Sequence, residues 1–317
     1  MKKLLLVASF VVSIFASDIE PTLKIDIQEI AKDLTLGKDG EIVIGTDGGK
    51  LKVYNYNKRE FTKIVQVPKI KDFTGEIVDT RVASVDYYNG KYLLLSDSGV
   101  GGYADLRMHE NNKTTDIFTE KDKLAIIKTK FIDDNNILLG FLSNEVALYN
   151  IKDKKMVYKK QLNESKFSDF ALSEDRSLAA FSCESGEINI VETKSGKVVK
   201  KLSGANLDNV YKVDFKKDYV SCAGQDRRAA WYNIKSGKSD YIEGHFLIYA
   251  TALNPSATMA AFAMDEKNNI TIFKLSTKEK KYILKGQKST LNNIVFKDEN
   301  TLFSASDDNI VIMWKLK

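Results

Sequence analysis

A short pattern returns about every 41 residues along this chain, and it limits the possible folds more than any other feature. Seven stretches rich in β-branched and aromatic residues, from Leu51–Asn55 to Val311–Lys315, each carry a large apolar residue followed by a polar or charged one. Those apolar residues are Tyr54, Met108, Tyr149, Val191, Tyr232, Phe273 and Trp314, at spacings of 54, 41, 42, 41, 41 and 41. Chance rarely produces five near-equal spacings in series. Fixed self-similarity at such a period marks a repeat architecture, in which each unit buries its faces only against its neighbours. The long first spacing places an insertion of about thirteen residues between the first two units.

Each unit carries several strands. In the last, Leu291–Phe296, Thr301–Ala305 and Ile310–Trp314 alternate with short polar turns, and pieces such as Lys197–Leu202 and Lys281–Lys285 join unit to unit. Segments of five or six residues separated by such turns predict antiparallel strands, and no segment holds a helical period. A four-stranded blade fits a period near 41. The predicted fold is therefore all-β, a seven-bladed β-propeller. Only Leu316 and Lys317 follow the last repeat, which leaves the seventh unit short of an outer strand. The alternating segment Leu23–Ile27 is expected to supply it, closing the ring and removing an open sheet edge.

Residues 1–16 differ from the rest. Met1-Lys2-Lys3 precedes an apolar run from Leu4 to Phe15, and Ala16 offers a small residue for cleavage. This is the pattern of a secretory signal peptide and is too short to favour a membrane span. The expectation is an exported, soluble, periplasmic protein with one domain at 17–317, since three prolines and no low-complexity stretch leave no linker. Loss of Lys2 and Lys3 leaves 46 basic against 43 acidic residues, too even a balance to suggest nucleic acid. Lys-rich runs such as Lys121–Lys123 read as solvated turns.

Over its last three units the chain resembles the WD40 family. Ser304-Ala305-Ser306-Asp307-Asp308 precedes Trp314, and Asp308 and Asp226 lie six residues before Trp314 and Tyr232, where the family places a turn aspartate. Gly244-His245 resembles the family's Gly-His pair. The resemblance implies that Asp226, His245, Asp308 and Trp314 are structural, tying strands within blades. The sequence departs from the family at Gln287 and Ala205, in place of histidine, and at Ser143, Ser185 and Lys267, in place of aspartate. An exported, Lys-rich, degenerate chain of this size also resembles the accessory proteins of periplasmic nitrate reductase systems. That likeness implies a protein partner, a nitrate reductase component, and help with its maturation or electron supply.

A search for chemistry returns little. His109 and His245 fall in different blades, which argues against a two-histidine metal centre or a Ser-His-Asp system. His109 is expected at an exposed strand end. Cys183 and Cys222 form no ligand motif and are expected as two buried thiols rather than a bridge. Gly99-Val100-Gly101-Gly102 opens no helix and reads as a widened turn. Carboxylate pairs such as Asp133-Asp134 fall in turns, where Asp bonds the local backbone. No cofactor or metal is implied.

Two surfaces are candidates for partner binding. Arginine is scarce, yet Arg227 and Arg228 are adjacent, and arginine is enriched at binding hot spots. The insertion, Ile70–Arg81, carries Phe73, Ile77, Asp79 and Arg81 on a connection that is short elsewhere. The expected function is a monomeric, non-catalytic interaction or accessory protein. The alternatives are an exported lactonase- or glycosidase-type enzyme using channel carboxylates, and an outer-membrane assembly scaffold.

Overall fold

A computed structural model describes residues 16–317. The signal segment expected at 1–16 lies, apart from Ala16, outside the described residues. Seven sheets, each with four antiparallel strands, form a seven-bladed β-propeller. Blades 1 to 7 span residues 31–66, 82–118, 126–161, 167–202, 210–243, 251–284 and 291–315. The only helical turn among the described residues is the 3-10 turn Glu120–Asp122.

Burial follows from the architecture. The second and third strands of a blade have neighbours on both faces and read as unbroken buried runs, as in Ile42–Thr46 and Leu51–Tyr54. Outer strands such as Lys155–Gln161 alternate toward solvent. The core is divided into seven apolar clusters, one at each blade junction, including the one between blades 7 and 1. No blade has a private core, so the ring must close for the first and last blades to be buried.

Closure is as the alternation at Leu23–Ile27 implies. Leu23–Asp26 pairs antiparallel with Ile310–Met313 as the outer strand of blade 7. A second closure was not foreseen: Ser17–Ile19 pairs parallel with Tyr282–Leu284 as a fifth strand on blade 6. Ile19, Ile25 and Ile27 are all buried.

The propeller has two distinct faces. Strands alternate in direction within a blade, so connections between blades share one face with turns between second and third strands. We call this the upper face. The lower face carries the first-to-second and third-to-fourth strand turns. The inner strands of blades 1 to 5 and 7 each make a bulge one residue past their first pairing, at positions 32, 83, 127, 168, 211 and 292.

Four aspartates on the channel side fasten blade to blade. Asp33, Asp86, Asp169 and Asp214 accept hydrogen bonds from the backbone amides of Val85, Phe131, Val213 and Leu253, each on the next blade, at 2.8–3.1 Å. Lysines intervene: Lys128 lies 2.5 Å from Asp169, and Lys130 lies 3.5 Å from Asp86. Arg176 reaches from blade 4 to Asp86 in blade 2 at 3.1 Å. Burial alone would raise the Asp33 pKa, but Lys130, Lys128, Lys212 and the Val85 amide outweigh it and hold the carboxyl below its ordinary value.

Candidate partner-binding surface

The insertion is not an open loop. Ile70–Lys71 and Ile77–Val78 pair as a small antiparallel hairpin on the upper face, between blades 1 and 2. Its tip is fixed by Asp72, whose Oδ1 accepts from the amides of Thr74 and Glu76 and from the Thr74 hydroxyl, at 2.7–2.9 Å. Its base is fixed by the Gly99 turn: a Cβ at Gly99 would lie 2.6 Å from the Lys71 carbonyl, and φ is +78°. Only glycine allows that approach. This scaffold presents Phe73 at 99 % exposure, with Ile77 at 66 % beside it. The four residues proposed from sequence therefore divide. Phe73 at the tip and Ile77 on the second strand are exposed apolar side chains, while Asp79 and Arg81 sit at the base in exposed ion pairs with Lys69 and Asp97 at 3.2 Å.

The arginine pair divides as well. Arg227 takes the left-handed position of its turn (φ 63°) and is exposed. Arg228 turns inward, with its guanidinium 4.3 Å from the Tyr241 ring centre and donating to the Ala205 carbonyl at 3.1 Å. It belongs to the blade rather than to a free surface.

Sequence reasoning missed an aromatic platform beside Arg227. Tyr211 and Tyr249 stack with ring centres 5.4 Å apart and planes 11° from parallel, and Phe246 lies 6.2 Å from Tyr249. Tyr211 occupies the bulge position of blade 5, which turns it to the upper face. Leu207, 65 % exposed, lies in the connection between blades 4 and 5 on the same face. The hairpin enters between blades 1 and 2 and the platform between blades 5 and 6, so the two lie across the ring from each other.

The strand-tying residues differ from those the family pattern implies. His245 is exposed and makes no side-chain hydrogen bond among the described residues. It lies 28 residues before Phe273, whereas Ala205 and Gln287 lie 27 before Tyr232 and Trp314, so it falls one residue out of register. Gln287 does the tying in blade 7. Its Nε2 donates to Ser306 at 2.6 Å, and its Oε1 accepts from Ser304, whose hydroxyl accepts from Trp314 Nε1 at 2.8 Å. Asp308 bonds only the nearby Ile310 amide, at 2.8 Å. Asp226 ties strand to connection, accepting from the Leu207 amide at 2.8 Å and from Asn206 at 3.2 Å.

His109 is buried rather than exposed, with its strand paired to Lys113–Phe118 and the Tyr92 ring 6.3 Å from its own. Its Nδ1 lies 2.9 Å from Thr114 Oγ1, and burial lowers its pKa. Cys183 and Cys222 are buried free thiols, and burial pushes the Cys222 thiol up. The central channel opens on the lower face as a polar cavity of about 260 Å³ lined by Asp33, Asp86, Asp169 and Asp214 with their lysines. No family model matches the chain, and no curated protein matches its sequence.

Proposed function

We propose that this propeller is a non-catalytic interaction protein that holds a protein partner on its upper face. The observation that carries this reading is Phe73, almost fully exposed on a hairpin whose tip and base are both fixed. Fixing the backbone that carries an aromatic side chain lowers the entropy lost on association, and burying such a side chain contributes about 2 kcal/mol or more. The propeller fold suits an interaction scaffold. The channel carboxylates support the same reading, since each already accepts a backbone amide.

The finer reading rests on the signal-like leader and on the resemblance to the NapL accessory proteins. It places the protein in the periplasm, with a nitrate reductase component as partner. Affinity capture by residues 17–317 from periplasmic extract should recover a molybdoenzyme or cytochrome subunit. Phe73→Ala should weaken that capture about thirtyfold, the scale of a hot-spot side chain. Equal capture by the variant would remove the hairpin from the interface. Recovery of an unrelated protein would keep the scaffold reading and reject the nitrate reductase assignment.

A further inference from the structure

The lower face differs in chemistry from the partner face. Its turns carry more bases than acids, and the upper-face connections carry more acids than bases. The excess is concentrated in the third-to-fourth strand turns of blades 1 to 6, at 56–59, 111–112, 151–154, 193–196, 234–238 and 275–278, of which Asn111-Asn112 is uncharged; the first-to-second strand turns of the same face carry more acids than bases. Asp153 is the single acidic residue in those six turns. Lys58, Lys154, Lys194, Lys235 and Lys278 sit in five of them and Lys113 flanks the sixth, one in each of blades 1 to 6, while Glu60, Glu110, Glu192 and Glu279 flank four of the same turns. These turns join the outermost strands, so the lysines form a ring around the lower face.

Little inside the molecule neutralises that ring. Lys235 pairs with Asp218 at 2.9 Å and Lys278 with Asp240 at 2.5 Å. Lys58, Lys113, Lys154 and Lys194 form no ion pair among the described residues. The backbone does not favour these residues either. Arg59, Lys154 and Lys278 take left-handed φ values of 59°, 52° and 58°. The equivalent places in blades 4 and 5 hold Gly196 and Gly237, at 66° and 72°. Glycine adopts that conformation freely and a long side chain does not, so the charge stands there against local preference.

We infer that the lower face docks on an anionic lipid surface. Lysine dominates the ring, and a lysine is a mobile, hydrated point charge suited to a diffuse layer of headgroups. Paired recognition of one protein carboxylate favours arginine. Lysines spread over six of the seven blades of a disc meet a plane together. The exposed large apolar side chains in turns and connections, Phe73, Ile77, Val100, Leu142 and Leu207, all lie on the upper face, so the lower face adheres without inserting. Each lysine near such a surface strengthens binding by about fivefold, less at high salt. A propeller held this way turns its hairpin and aromatic platform away from the membrane. The inference goes beyond the partner reading and does not depend on it.

Residues 17–317 should co-sediment with vesicles of phosphatidylglycerol and phosphatidylcholine and not with phosphatidylcholine alone. Binding should fall steeply between about 50 and 500 mM NaCl. Reversing three unpaired charges, Lys58→Glu, Lys154→Glu and Lys194→Glu, should weaken it more than about a hundredfold with the circular-dichroism spectrum unchanged. Lys154→Gly should weaken vesicle binding while raising the thermal midpoint, an opposition that general damage to the fold would not produce. Equal binding to neutral vesicles, or full binding by the triple variant, would overturn the inference. So would retention on polyglutamate or duplex DNA without partition onto anionic vesicles, which would assign the ring to an acidic macromolecule.

Discussion

Gln287 ties blade 7 at the position where the WD40 pattern has a histidine. It bridges the connection entering blade 7 to Ser304 and Ser306, and through Ser304 to the Trp314 indole. Removing it leaves two buried hydroxyls short of a partner, at about 1–3 kcal/mol. Gln287→Ala should therefore lower the thermal midpoint by several degrees, whereas His245→Ala should leave it within about a degree. The reverse result would restore the family assignment. The channel aspartates set a second expectation. The folded pKa of Asp33 lies below its ordinary 3.8, so its stabilising contribution is complete above that pH and is lost as pH falls through the folded value. Burial would lower the Lys128 pKa, but Asp169 and Asp33 raise it above 10.5, so its contribution holds below that pH and is lost as pH rises through the folded value. The midpoint should stay level from about pH 7 to 9, slip as pH falls below 6.5 because buried His109 resists protonation, and fall further below about pH 4. Asp33→Asn should lower the plateau and flatten the acid limb; an unchanged acid limb would show that other carboxylates govern it.

The hairpin is bound to the propeller mainly at its base, and its strands of two residues pair only with each other. Replacing Lys71–Asp79 with a short Gly-Ser link should shift the thermal midpoint by less than about 2 °C while weakening partner capture at least as much as Phe73→Ala. A large loss of stability would mean that the hairpin supports blades 1 and 2. The blade strands were legible in the sequence because a propeller strand is an apolar run of fixed length at a fixed period. Leu291–Phe296 has the same bounds in the structure as in the sequence reading. The hairpin was read only as extra length, since two paired residues on each side leave no measurable alternation. The stacking of Tyr211 on Tyr249 was hidden because a bulge decides which face Tyr211 meets, and bulges leave no compositional mark. The aspartate latches were hidden for a related reason. An aspartate in a turn and one bonded across a blade junction look alike until strand direction is known.

At the scale of the whole ring, stability rests on seven shared junctions, and two of them depend on the N-terminal segment. Deleting residues 17–27 removes three buried isoleucines, each contributing about 2 kcal/mol, and uncovers strand edges on blades 6 and 7. The truncated chain should aggregate or melt more than about 10 °C lower; a normal midpoint would refute the closure. Deleting only 17–19 isolates the unforeseen strand and should have a smaller effect, through the loss of Ile19. The two-face charge pattern also belongs to this scale, because it arises from turns contributed by nearly every blade. The double closure has a consequence in time as well. Leu23–Asp26 leaves the ribosome before any blade, yet its partner, Ile310–Met313, is made only after the first six blades. That closing strand waits while six blades are made before it can pair. Until then six blades can stack while an adhesive edge stays open at each end of the row, so the slow step in maturation should be the meeting of the two ends, and a chaperone that shields Ile19–Ile27 would act on that step.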